Sequence, residues 1–77
     1  MELKQVLTDI ARAIVDTPDA VNVIENVDGD NVVLTLVVAE DDTGMVIGRH
    51  GKIAKAIRQV MKAAANTCGK HVTVEIK

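Results

Sequence analysis

Two glycines, Gly48 and Gly51, enclose a charged pair, Arg49 and His50, and carry the strongest chemical signal in the sequence. Glycines at this spacing let the backbone turn where a side chain would clash, and they leave backbone N–H groups open. A run of helix-forming residues begins at Lys52, so the unpaired N–H groups and the positive dipole end of that helix adjoin the turn. The spacing therefore indicates a site for an anion, with phosphate as the obvious ligand.

The loop does not match the common nucleotide-binding patterns. A P-loop needs a glycine five residues before its Gly-Lys pair and a serine or threonine after it, whereas Val46 and Ile53 occupy those positions. The Gly-x-Gly core of a dinucleotide fingerprint is also missing from the sequence. Nucleotide hydrolysis is therefore not expected. Taken alone, a Gly-x-x-Gly between two helices is also compatible with a simple helix–turn–helix joint.

The charges are segregated along the chain. Residues 1–42 contain ten acids and two bases, whereas residues 43–74 contain no acid and six bases, although the net charge is −2. The six bases are Arg49, Lys52, Lys55, Arg58, Lys62 and Lys70. Such segregation predicts a cationic surface despite the negative total. The alternative interpretation is that these bases form a solvated helix face, whose positive charge the acidic half of the chain balances through space.

No catalytic or metal-binding constellation is visible. His50 and His71 are far apart, Cys68 stands alone, and no carboxylate lies near them in sequence to complete a metal set or a triad. We therefore expect a non-enzymatic protein with no cofactor, no metal and no small-molecule substrate. The single cysteine and the absence of a recognisable signal peptide predict the cytoplasm, and the apolar run within 32–39 is too short to enter a membrane.

The 77 residues predict one small domain over 1–77, with an aliphatic core because the chain has no aromatic residue. Apolar spacing predicts an amphipathic helix over 2–16, strands over 21–27 and 31–39 joined at Gly29, a short helical turn at 44–47, a helix from 52 to about 66, and a strand over 71–77. Asp42 or Thr43 should cap the short helix, and Asn66 or Gly69 should end the long one. This order predicts an α+β fold, helix-strand-strand-helix-helix-strand, with a mixed three-stranded sheet and the helices on one face.

The long helix has two kinds of surface. One polar arc of roughly 120° holds Lys52, Lys55, Arg58, Gln59 and Lys62. The apolar remainder is wider than packing on one sheet usually requires. We expect the surplus, on the side of Ala54, Ile57 and Met61, to line a groove or to meet a partner.

In this context, the run Ile47-Gly48-Arg49-His50-Gly51-Lys52-Ile53 resembles the GxxG loop of KH domains, which clamps single-stranded RNA by its backbone. The element order resembles the bacterial type II KH fold. The length and the run from Val46 to Arg58 resemble the small stand-alone KH proteins of the KhpA type.

This resemblance implies that Gly48 and Gly51 let the RNA backbone approach and that Arg49 and His50 contact phosphates. It also implies that the bases rest on an apolar floor formed by Val46, Ile47, Ile53, Ile57 and Val74. Lys52 and Lys55 would flank the path of the RNA strand. It further implies self-association or pairing with a Jag or KhpB-type KH protein, in a post-transcriptional regulator or RNA chaperone. The alternative is a protein-interaction module that binds RNA only incidentally.

Overall fold

The helices and strands follow the predicted order along the chain. The computed structural model of the protein describes residues 2–77. Its elements are α1 (Leu3–Ile14), β1 (Asn22–Asp28), β2 (Asn31–Val37), α2 (Thr43–Ile47), α3 (Lys52–Thr67) and β3 (His71–Ile76), with short 3-10 turns at Pro18–Ala20, Glu40–Asp42 and Arg49–Gly51. None of the helices within residues 2–77 has the length and apolarity needed to cross a membrane.

The sheet is mixed, with β2 in the centre between β1 and β3. β1 and β2 form an antiparallel hairpin that turns at Gly29, whose φ of 60° is readily adopted only by glycine. β3 pairs parallel to β2, because the chain crosses over through α2 and α3 before it returns to the sheet. The α+β fold predicted from the sequence is confirmed.

The core lies between the helices and one face of the sheet. Helical spacing selects the buried residues of α1 and α3, and alternation selects those of β2. These residues are Leu3, Leu7 and Ala11 of α1, Ala54, Ile57, Met61 and Ala65 of α3, and Val32, Leu34 and Leu36 of β2. The aliphatic core expected from the composition therefore forms without any aromatic side chain.

The end of α3 shows which of two candidate residues terminates the helix. Gly69 adopts the left-handed conformation, with φ of 68°. Its N–H donates to the Asn66 carbonyl at 3.2 Å, and the Lys70 N–H donates to the Ala65 carbonyl at 2.9 Å. This pair of bonds is the Schellman arrangement, in which the glycine follows the helix and satisfies its last carbonyls. The helix therefore continues to Thr67 instead of ending at Asn66.

Asp42 has a different role from the predicted helix cap. It precedes α2, but its side chain makes no capping bond to that helix. Instead, Asp42 is buried and its Oδ2 accepts a hydrogen bond from the backbone N–H of Thr17 at 2.9 Å. The expectation of a cap was wrong because a donor 25 residues away in sequence occupies the carboxylate. The contact ties the loop after α1 to the start of α2.

Candidate nucleic-acid interface

The turn between α2 and α3 is built from residues with unusual backbone angles. The Gly48 N–H donates to the Gly44 carbonyl at 2.8 Å and ends α2. Gly48 then adopts φ 75° and ψ 175°, His50 adopts φ 58° and ψ 25°, and Gly51 adopts φ 73° and ψ 15°. Three positive φ values within four residues reverse the chain and leave the side chains of Arg49 and His50 exposed.

The two glycines are required for different reasons. A Cβ placed on Gly48 would lie 2.2 Å from Cγ1 and 2.9 Å from the backbone nitrogen of Ile53. Its φ and ψ also lie in a region that is essentially confined to glycine. A Cβ on Gly51 would meet nothing within 4 Å, so only its left-handed φ opposes a side chain. The close approach to Ile53 therefore makes Gly48 the stricter of the two positions.

The start of α3 is open to an anion. Gly51 is its N-cap and provides no side chain, and the first turn of the helix carries no acid. The Gly51 and Lys52 N–H groups donate to the Gly48 and Arg49 carbonyls within the turn, so an anion would meet the N–H groups that follow them and the partial positive charge of the helix dipole. Lys52 and Lys55 are both exposed on the same turn. The structure thus places the predicted phosphate-binding loop beside its predicted flanking lysines.

A groove runs along α3 beside β3, the edge strand of the sheet. It has a volume of 230 Å³ and is lined by Arg58, Lys62, Val72, Thr73 and Val74. Of these, the sequence prediction included only Val74 among the binding residues. Arg58 and Lys62 follow Lys52 and Lys55 in the polar arc of α3. This spacing was the sequence signal that could have identified Arg58 and Lys62 as binding residues. What the sequence did not indicate is that the arc faces the edge of the sheet.

Arg58 contacts the groove wall directly. Its Nε donates to the backbone carbonyl of Val74 at 3.2 Å. The Val74 side chain is buried in the core, so the carbonyl is held by a fixed strand. The guanidinium is thereby held at the groove by the strand, within a stretch of the chain, 43–74, that contains no acid.

The residues predicted to form an apolar floor do not lie on one surface. Val46, Ile57 and Val74 are buried, whereas Ile47 and Ile53 are each 38% exposed. Ile53 and Ile57 line a depression between α3 and α1, on the opposite flank of α3 from the groove beside β3. Val46 and Ile57 can therefore only support the surface from beneath.

The predicted interaction surface on α3 requires a correction. Ala54, Ile57 and Met61 are 4%, 3% and 0% exposed, because this side of the helix packs on the sheet and on α1. The large apolar residues of α3 that are exposed are Ile53 and Val60. Helical spacing alone could not distinguish the buried stripe from its apolar margin.

The remaining chemical side chains form no metal-binding cluster within residues 2–77. No group of three or more His, Cys, Asp or Glu residues that could hold a metal ion occurs within residues 2–77. Cys68 is half-buried, and its Sγ lies 3.8 Å from the hydroxyl of Thr67. His50 and His71 are exposed on separate elements. The candidate functional site therefore consists of the Gly48–Gly51 loop and the groove between α3 and β3.

The fold is similar to part of a solved structure. It superposes with a TM-score of 0.69 and 17% identity on a crystal structure of Era in complex with MgGDPNP and nucleotides 1506–1542 of 16S ribosomal RNA. The match covers 96% of this chain but only 28% of the Era chain. At this identity, the likeness supports the fold alone.

Sequence relatives cover nearly the whole chain. RNA-binding protein KhpA of Clostridium acetobutylicum is 51% identical over 74 residues, which are 96% of this chain and 99% of the relative. RNA-binding protein KhpA of Clostridium perfringens is 46% identical over the same shares of the two chains. The family model described as KhpA/KhpB, KH domain, matches residues 4–76. The chain therefore belongs to the KhpA/KhpB KH-domain family.

Proposed function

We propose that this protein binds short single-stranded RNA through the Gly48–Gly51 loop and the groove between α3 and β3. The observation that carries the proposal is geometric. The Gly48–Gly51 turn and the N-terminal end of α3 lie at one end of the cationic arc of that helix, and the arc continues along the groove through Arg58 and Lys62. A polynucleotide is the ligand that matches a phosphate site followed by a line of positive charge.

In this proposal, the phosphates contact the loop and the bases enter the groove. The glycines allow the sugar–phosphate backbone to approach, and Arg49 and His50 contact phosphates from outside the turn. The apolar part of the groove is supplied by valines, Val72 and Val74, since the chain has no aromatic residue on which bases could stack. The names of the KhpA relatives, which are RNA-binding proteins, support the same ligand class.

One such site spans about four nucleotides, so a single domain should bind weakly. Pairing with a second KH domain, in a homodimer or with a KhpB-type partner, would raise the affinity through effective concentration. We therefore propose a regulator or chaperone of RNA that works as a pair of KH domains in the cytoplasm. The activity is binding and requires no catalytic residue.

The loop assignment is tested by replacing Arg49 and His50 together with aspartate. We expect the affinity for an eight-nucleotide single-stranded RNA to fall at least about tenfold, because two carboxylates would repel the phosphates at the turn. Both side chains are exposed, so the thermal unfolding midpoint should change little. Fluorescence anisotropy measures the affinity, and circular dichroism monitors the unfolding.

A matched control is the replacement of Lys4 and Arg12, exposed bases of α1, with aspartate. This variant also replaces two basic positions but leaves the loop unchanged, so its affinity should remain close to that of the wild type. Unaltered RNA binding by the loop variant, or losses of affinity that are equal in the two variants, would show that the loop is not the phosphate site.

A second function is favoured by a separate observation. The depression between α1 and α3 is lined entirely by apolar side chains, and Val60 on its rim is 51% exposed. The lining residues are Ile10, Ile14, Ile53, Ala56, Ile57 and Val60. We propose that this surface makes the contact between paired KH domains, in place of the buried side of α3.

Replacing Val60 with aspartate should disrupt this pairing without unfolding the chain. The charge would enter the apolar contact at its most exposed point, while the cost to the folded monomer should be about 1 kcal/mol or less. Sedimentation measures the association, with Gln59→Asp on the polar arc as the control for a new carboxylate on α3. Equal association of the Val60 variant and the wild type would exclude this surface from the contact.

A further inference from the structure

The backbone of β2 divides its hydrogen-bonding groups between its two neighbours. The His71 N–H donates to the Asp30 carbonyl and the Lys77 N–H to the Leu36 carbonyl, both at 2.9 Å. The direction of these groups alternates along a strand. The even-numbered residues of β2 therefore turn their N–H and C=O groups toward β3, and the odd-numbered residues turn theirs toward β1.

The register of the hairpin extends this alternation to β1, which is the other edge of the sheet. Odd-numbered residues of β2 pair with even-numbered residues of β1, as Thr35 does with Ile24. The even-numbered residues of β1 are therefore bonded to β2, and the odd-numbered residues point their N–H and C=O groups out of the sheet. These outward residues are Val23, Glu25 and Val27, and no other hydrogen bond within residues 2–77 reaches their backbone groups.

This edge lacks the features that usually prevent an edge strand from pairing with another chain. Those features include lysine, proline, a bulge or a very short strand. β1 has seven residues, contains neither lysine nor proline, and keeps an unbroken register with β2 from Asn22 to Asp28. Two of its large apolar side chains are exposed, Ile24 at 46% and Val27 at 58%. The edge is therefore open to a further strand.

A pocket opens beside the same edge. It has a volume of 170 Å³ and is lined by Glu2, Leu3, Glu25, Val27, Val32, Cys68 and Lys70. Glu25 and Val27 thus supply both a wall of the pocket and outward backbone groups. Every second side chain of an added strand would point to the pocket side of the sheet. When a peptide adds to a sheet edge, main-chain bonds give affinity and such pockets give specificity.

We propose that β1 and this pocket bind an extended segment of a partner protein, with an aliphatic residue in the pocket and basic residues flanking it on the same face. The charge of the edge selects this chemistry. β1 carries two acids, Glu25 and Asp28, and no base, and Glu2 adds a third acid at the pocket. The inference is independent of RNA binding, because β2 separates this edge from the groove beside β3.

A second copy of β1 fits the edge less well. If two β1 strands paired antiparallel with their outward residues aligned, Glu25 of one copy would lie directly opposite Glu25 of the other. Like charges directly opposite each other on neighbouring strands are destabilising. The charge pattern therefore favours a basic segment over self-pairing.

The test titrates the isotope-labelled full chain with the blocked peptide Thr-Arg-Thr-Val-Thr-Arg-Thr and follows the amides by NMR. The valine and both arginines of this peptide lie on one face of an extended strand, in the same pattern whichever way it runs. We expect the N–H groups of Val23, Glu25 and Val27 to gain protection from hydrogen exchange. The Ile24 N–H, which already bonds to β2, should keep the protection that it has without peptide.

Two control peptides and two variants test the chemistry. Thr-Glu-Thr-Val-Thr-Glu-Thr should bind about tenfold more weakly than the arginine peptide, because like charges then meet at the edge. Thr-Arg-Thr-Gly-Thr-Arg-Thr should also bind more weakly, because it leaves the pocket empty. Glu25→Lys should prefer the glutamate peptide, whereas Glu75→Lys, the same charge change at an exposed position of β3, should keep the wild-type preference.

Three results would overturn the inference. The first is that millimolar arginine peptide leaves the outward N–H groups of β1 unprotected. The second is equal affinity for the arginine and glutamate peptides. The third is protection of β1 that grows with protein concentration in the absence of peptide, which would make a second copy the occupant of the edge.

Discussion

Replacing Met61 with aspartate should unfold this protein. The Met61 side chain is fully buried between α3, α1 and the sheet. Truncating a buried methionine alone costs about 2–5 kcal/mol, and an unpaired carboxylate in the same place adds a desolvation cost. The total stability expected for 77 residues is only about 4–12 kcal/mol. Urea denaturation and circular dichroism should therefore show little or no folded population.

The informative control is Val60→Asp, one residue earlier on the same helix. Val60 is 51% exposed, so the same new charge stays in water and the unfolding curve should remain close to that of the wild type. A Met61→Asp protein that melts like the wild type but fails to associate would place Met61 on the surface, contrary to the structure. The pair thus separates a buried position from an exposed position on adjacent residues.

Replacing Gly48 with alanine should have the second-largest effect, in both stability and RNA binding. The new Cβ would overlap with Ile53, including its backbone nitrogen, which cannot move aside as a side chain does. Strain at such a φ and ψ adds about 1–3 kcal/mol, so the combined cost should be at least about 3 kcal/mol. Relief of the strain would displace the loop from the start of α3, and the RNA affinity should fall with it.

Gly51→Ala provides the comparison within the same loop. Its Cβ enters open space, so the expected cost is the left-handed φ alone, about 1–2 kcal/mol. Urea denaturation measures both variants, and anisotropy with an eight-nucleotide RNA measures the binding. Equal losses of stability in the two variants would mean that the overlap with Ile53 is relieved at no cost and that only φ matters at both positions.

The element order, the hairpin and the crossover were predictable from the sequence because they depend on local signals. Gly29 supports a tight turn, the alternation of β3 is strict, and the residues after Gly51 favour a helix. The GxxG loop was predictable for the same reason, since its glycines, its charges and the helix start are contiguous. The α+β architecture and the Gly48–Gly51 turn follow from such short-range rules.

The tertiary structure decided which neighbours each surface meets. Spacing on α3 shows a polar arc and an apolar arc, but contact with α1 and the sheet determines that Met61 is buried and Val60 is not. In the same way, only the position of β3 at the edge of the sheet brings Arg58 to the Val74 carbonyl, 16 residues away in sequence. Burial and partner choice depend on long-range packing, which periodicity in one segment does not encode. The sequence by itself therefore determined the loop and its charge, whereas the fold decided which side of α3 forms the groove beside β3 and which side lines the apolar depression against α1.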